Sequence, residues 1–216
     1  MRGAMSMNFI KKILDLRSRK PECQALLTVD VAPSPQKIII DNISFNHNLA
    51  KNFKPFSLDQ LSGCYLIIKF FEKLGHTDLR WLAYALATAM HETAFTMQPI
   101  TEQGSEAYLR SKPYFPYIGR GFVQLTHKYN YEKYGIADTP EDACDPELAA
   151  YILINGMTNG IFTGKKFSDY FNDSKSDAFN ARKIINGLDR APLVASYYDK
   201  FIGILKASSI EETKLS

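Results

Sequence analysis

Apolar residues recur along most of this chain at helical spacing. In LRWLAYALATAM, Leu79 to Met90, apolar or small residues at 82, 85, 86, 89 and 90 follow the i, i+3, i+4, i+7 rule of a buried stripe. Upstream, Ser57 is a good N-cap for LDQLSGCYLIIKFFEKLG, which Gly75 closes, and Asp78 caps the helix carrying the stripe. Further helices are predicted in HKYNYEKYG, CDPELAAYILINGMTNGIF, KKFSDYF, DAFNARKIING and APLVASYYDKFIGILKA. FVQLT alternates as a strand, with Phe122, Gln124 and Thr126 on one face and Val123 and Leu125 on the other. The pattern predicts a mainly α domain with a small β element.

The N-terminal quarter reads differently. Residues 7–22 have the spacing of a short basic amphipathic helix, and LLTVDVAPSPQKIIIDN carries two β-like runs around a Pro-Ser-Pro break. Residues 7–55 are therefore predicted to form an arm packed on a main domain at 56–216, and MRGAMS, residues 1–6, reads as a cloning scar. Between the stripe helix and FVQLT lies TEQGSEAYLRSKPYFPYIGRG, rich in Gly, Pro and Tyr. Irregular stretches of that length inside a domain are usually functional.

Composition narrows the function classes. The chain of 216 residues is 45% hydrophobic and 23% charged, the balance of a globular protein long enough for a good core. Its net charge of +3 favours anionic polymers mildly and is too scattered to argue for nucleic acid. Cys23, Cys64 and Cys144 are odd in number and lack a CxxC, so reduced thiols are expected. No apolar run approaches a membrane span, and MNFIKKILDLRSRK is too short and too charged in its apolar part for a secretory signal. These features predict a monomer made in the cytoplasm that reaches any outside substrate by another route.

The candidate chemistry centres on AMHETAF, Ala89 to Phe95. Glu92 falls three residues after Ala89 and seven after Ala85, so it extends the apolar stripe. An unpaired carboxylate there should keep its proton, and Glu92→Gln should then be neutral or stabilising at pH 7. The plainer alternative is a helix-end glutamate turned to water. Glu102 follows ten residues later in the polar loop PITEQGSEAY, with Glu106 close by; its plainer reading is a solvated loop charge. Two carboxylates in unlike environments are what glycoside hydrolysis requires, one to protonate the leaving oxygen and one to act as base or nucleophile. In YIGRGFVQLTHKYNY, Tyr117 to Tyr131, Gln124 and Thr126 suit a cleft wall, and the glycines beside Arg120 permit a tight turn or close approach to a ligand. Tyr114, Tyr117, Tyr129 and Tyr131 either pack a core or stack on sugar faces. HE also opens the HExxH zinc motif, but position 95 is Phe, so no metal site is expected and no cofactor is implied.

HET at 91–93, YIGRGFVQLTHKYNY and IING at 184–187 together resemble the glycoside hydrolase family 19 chitinases and related phage endolysins, over roughly Ser57 to Lys206. The resemblance implies a lysozyme-like helical fold with two lobes about a sugar cleft. It implies Glu92 as general acid, Glu102 as general base and Thr126 as the hydroxyl that helps hold the attacking water; Glu106 is the alternative base. It further implies that His91 flanks the acid and that Gln124, Tyr129, Asn130 and Asn186 contact substrate. The chain departs from the plant enzymes in Ala94, in lacking their disulfide pattern, and in offering LVASYY where they carry an arginine near the last helix.

These departures favour a compact wall hydrolase, an endolysin or wall-degrading effector. The expected substrate is peptidoglycan, cut by an inverting mechanism, with chitin oligomers slower. A holin or an immunity protein is a possible partner, according to whether the enzyme is released or delivered to the wall. A chitinase, a single-carboxylate lytic transglycosylase and a wall-binding module without turnover are the other readings; the role of Glu102 and turnover on glycan strands separate them.

Overall fold

A computed structural model describes residues 38–211, so the helix expected at 7–22 and the first β-like run lie outside the described residues. Seven α-helices occur among them: α1 (Asn42–Asn52), α2 (Leu58–Lys73), α3 (Leu79–Glu92), α4 (Glu106–Arg110), α5 (Lys128–Lys133), α6 (Pro146–Asn159) and α7 (Ala191–Ser208). Three short 3-10 helices accompany them, at Pro140–Cys144, Phe167–Asp169 and Asn180–Ile184. Three antiparallel two-stranded sheets pair β1 (Ile38–Ile40) with β6 (Ser209–Glu211), β2 (Ile100–Thr101) with β3 (Arg120–Gly121), and β4 (Phe171–Asn172) with β5 (Lys175–Ser176). The domain is mainly helical with small sheets, as the periodicity predicted.

Helix α3 lies at the centre. The sequence predicts one buried stripe, yet every residue from Leu82 to Met90 is buried. The reason is that α7 packs along α3 while α2 and α6 also contact it, and Ala83, Ala85, Ala87 and Ala89 keep the helix narrow enough to be surrounded. Helix α1 packs on α7, placing Phe45 and Leu49 in the same core. β1 and α1, which fall within the arm expected at 7–55, pack on this core, and Asp41 N–H donates to Ser208 O at 2.8 Å beside the β1–β6 pair.

Predicted helix ends are found where the capping chemistry lies. Ser57 and Gln60 form a reciprocal capping box on α2 and Asp78 accepts from Arg80 N–H at 2.9 Å, whereas α6, expected to run on to Phe162, stops at Gly160 with φ +70°. KKFSDYF and DAFNARKIING differ from expectation, forming 3-10 turns rather than α-helices. The Asp169 and Asp177 carboxylates take up the backbone N–H groups of Lys166 and Asn180, satisfying donors locally in a way that competes with a longer helix.

One close approach fixes α2 against the turn that follows α3. A Cβ added to Gly63 would lie 1.7 Å from the carbonyl oxygen of Met97, and Met97 is itself buried. Backbone cannot swing aside as a side-chain tip can. Gly63→Ala should therefore destabilise the domain by about 2 kcal/mol, read as a lowered denaturant midpoint; an unchanged midpoint would show that α2 and this turn are not so closely apposed.

Candidate active site

Glu92 is the last residue of α3, where the fully buried run gives way to a cleft of about 960 Å³. The two residues beside it have separate tasks. His91 lines the cleft, while Thr93 is buried and caps the helix: its hydroxyl donates to Ala89 O at 2.7 Å and accepts from Met97 N–H at 3.0 Å. The turn that follows holds Ala94, Phe95 and Met97 at positive φ, an unfavourable conformation for side chains with a Cβ.

The environment of Glu92 is not the unpaired apolar one expected from the stripe. Arg182, only 4% exposed, donates from Nη1 to Glu92 Oε1 at 2.6 Å, and its Nε donates to Asp189 O at 2.9 Å. Among the described residues no hydrogen bond reaches Glu92 Oε2, although the side chain lines the cleft. The partner was missed because it lies 90 residues away, in the 3-10 helix at Asn180–Ile184. Its only trace in the sequence is the pair Arg182–Lys183 before IING, and nothing there distinguishes the buried Arg182 from the cleft-lining Lys183.

Glu102 is not a free loop charge either. It directly follows β2, its N–H donates to Gly119 O at 2.7 Å, and its carboxylate accepts from Gly119 N–H at 3.1 Å and from the Tyr114 hydroxyl at 3.3 Å. Burial first, and the Glu102 charge second, push the Tyr114 phenol above its ordinary value of 10.0, so the hydroxyl remains a donor at neutral pH. Glu106 lies outside the cleft lining, on α4, with its side chain 77% exposed and paired to Arg110 at 2.8 Å.

The expected strand at FVQLT is a turn. Only Arg120 and Gly121 pair with β2; the chain then reverses, with Gln124 at φ +50° and Leu125 N–H returning to Arg120 O at 2.8 Å. Phe122, Val123 and Leu125 are all buried, which strict alternation forbids. Gln124 and Thr126 nevertheless line the cleft. Gln124 Nε2 is occupied by Ile100 O and Gly121 O, leaving Oε1 as its free acceptor, and that oxygen would lie 2.8 Å from a Cβ on Gly119. The Thr126 hydroxyl donates to Gln124 O at 2.8 Å.

The other predicted contacts divide. Tyr129 is half exposed in the cleft and stacks on His127 at 5.7 Å, and Asn186 lines the cleft with its Oδ1 accepting from Gly187 N–H. Asn130 also lines it, but its amide donates to Thr126 O, so it chiefly shapes the wall. Tyr117 does not belong to the lining. It packs on the buried Tyr131, whose hydroxyl lies 2.5 Å from Ile118 O and accepts from Arg120 Nη1 at 3.1 Å. These contacts show that Tyr131 and Arg120 hold the turn together. Phe162, Thr163 and Lys165, along with His127 and Lys183, also line the cleft and gave no sequence signal.

Comparison of the chain with models of protein families, with curated proteins and with solved structures finds no match.

The ion pair reverses the stability expectation for Glu92. Arg182→Met would strand a largely buried carboxylate and should cost about 3 kcal/mol. Glu92→Gln should destabilise as well, and the double variant should recover at least about 1 kcal/mol of the summed losses in denaturant unfolding at pH 7. Strict additivity would mean that water screens the pair.

A second expectation concerns acid. Burial holds His91 below the ordinary 6.5, outweighing the Glu92 charge beside it, and burial alone lowers His76. In the unfolded chain these rings bind protons near pH 6.5, whereas the folded chain binds them only at lower pH. Stability is therefore present above about 6.5 and falls as pH drops through the lowered values. His91→Gln should flatten part of that fall in midpoint-versus-pH data; an unaltered slope would show that His91 does not contribute.

Proposed function

We propose that this chain is a glycoside hydrolase of the family 19 type, with a lysozyme-like fold, that cuts β-1,4-linked N-acetylhexosamine polymers by inversion. The observation that carries the reading is the pair of carboxylates in one cleft, each held by different donors: Glu92 by a buried guanidinium, Glu102 by a phenol and a backbone N–H.

The roles follow from the free atoms. Glu92 is oriented through Oε1, so the proton it donates to the leaving oxygen sits on Oε2. Glu102 accepts hydrogen bonds and takes the proton of the attacking water. Thr126 has committed its own hydrogen to Gln124 O, so toward a water it can only accept. A water giving one hydrogen to Thr126 and the other to Glu102 keeps a lone pair free for the anomeric carbon. Tyr129 stacks on His127, has Lys133 Nζ 5.2 Å from its ring centre and is half exposed in the cleft, an aromatic of the kind against which sugar rings pack.

Peptidoglycan is the substrate we expect, with chitin oligomers slower. The short connection from Glu92 to Glu102, and the free thiols of Cys64 and Cys144, support the compact wall-hydrolase form over the disulfide-bearing plant form.

Digestion of purified sacculi and of chitin hexamer, with new reducing ends identified by mass spectrometry, tests this directly. Glu92→Gln and Glu102→Gln should each lower turnover by about 10²- to 10⁴-fold, while Glu106→Gln should stay within about twofold, as expected for an exposed residue outside the cleft lining. NMR of the first product should show the α-anomer. A β-anomer, or an active Glu92→Gln enzyme, would overturn the mechanism; rapid chitin cleavage with intact sacculi would overturn the substrate.

A further inference from the structure

We infer that one wall of the cleft reads the anionic peptide stem of peptidoglycan, with Lys165 and Lys183 pairing with its carboxylates; this rests on the reading of the cleft as a glycan site. The two lysines come from segments that are fastened together. Thr163 Oγ1 lies 2.6 Å from Lys183 O and 3.0 Å from Ile184 O, tying the loop after α6 to the 3-10 helix at Asn180–Ile184. Lys183 is posed as well: its Nζ donates to Asn180 Oδ1 at 2.8 Å, and the Asn180 amide donates to the Asp177 carboxylate at 2.9 Å. Lys165 is exposed and lines the cleft. Among the described residues neither lysine is ion-paired.

An unsubstituted N-acetylglucosamine chain presents only hydroxyls and acetamido groups. The lysines that line the cleft can only donate to such neutral oxygens, whereas a carboxylate brings an opposite charge as well as acceptors. The cleft's own carboxylates come from other segments, Glu92 from the end of α3 and Glu102 from just after β2, and Glu92 meets the lysine-bearing 3-10 helix through the cation of Arg182. An anionic branch is therefore drawn to the two lysines, which orients the strand as it binds. Thr163 keeps the two cations on one surface before substrate arrives.

The test needs binding alone. A labelled tetrasaccharide carrying intact stems and the same tetrasaccharide stripped of them are titrated against wild type, Lys165→Met/Lys183→Met and Lys165→Glu. Wild type should bind the stem-bearing form about fivefold more tightly at low salt, the size expected of partly exposed ion pairs, and the preference should fade as salt screens it. The double methionine variant should bring the ratio of the two affinities to about one, and Lys165→Glu should push it below the wild-type value. A wild-type ratio of one, or a ratio untouched by either variant, overturns the inference; wild type binding neither sugar overturns it together with the glycan reading. A preserved preference without cleavage of either sugar sinks the hydrolase reading and leaves this one standing. Cleavage of both without preference does the reverse.

Discussion

The ion pair between Arg182 and Glu92 joins the end of the central helix to a 3-10 turn 90 residues away, and the cleft takes its shape from that junction. Removing two charges from water is costly, so such a pair adds little net stability of its own. Its value here is geometric. Arg182 also donates to Asp189 O, just before α7, and α7 packs back along α3. Glu92 is thereby fixed relative to the segment that carries Lys183 and Asn186.

The second carboxylate depends on a different device. A two-residue sheet pairing and a reversal at Gln124 bring Gly119 N–H to Glu102. Side chains with a Cβ occupy positive φ at Ala94, Phe95 and Met97 after Glu92, and at Gln124 and His127 in the cleft wall. Such conformations are costly and persist where the surroundings over-determine them, often at functional sites. One group occupies the turn that follows Glu92, and the other, Gln124 and His127, lies in the cleft lining itself.

Much of the fold was legible because it follows from local rules. The caps at Ser57 and Asp78 are where their side-chain chemistry predicts, while the left-handed end at Gly160 cuts short a helix expected to reach Phe162. The central position of α3 was only half legible: its alanines signalled a stripe, and burial on every side depends on which helices surround it. The candidate site divides in the same way. Glu92, Glu102, Thr126 and Tyr129 could be picked from residue type and spacing, and all four line one cleft. Arg182 could not, since its significance is a distance in space with no counterpart in sequence. Tyr117 misled because a tyrosine beside a glycine-rich turn looks the same whether it faces a ligand or packs on Tyr131.

The most direct measurement on the cleft is a crystal structure of Glu92→Gln with an N-acetylhexosamine tetramer. The sugar chain should cross the cleft with a glycosidic oxygen within hydrogen-bond reach of residue 92, and one ordered water should lie between Glu102 and Thr126 beneath the adjoining anomeric carbon. A tetramer bound away from both carboxylates, or one leaving no room for that water, would contradict the assignment of Glu92 and Glu102 as an acid–base pair.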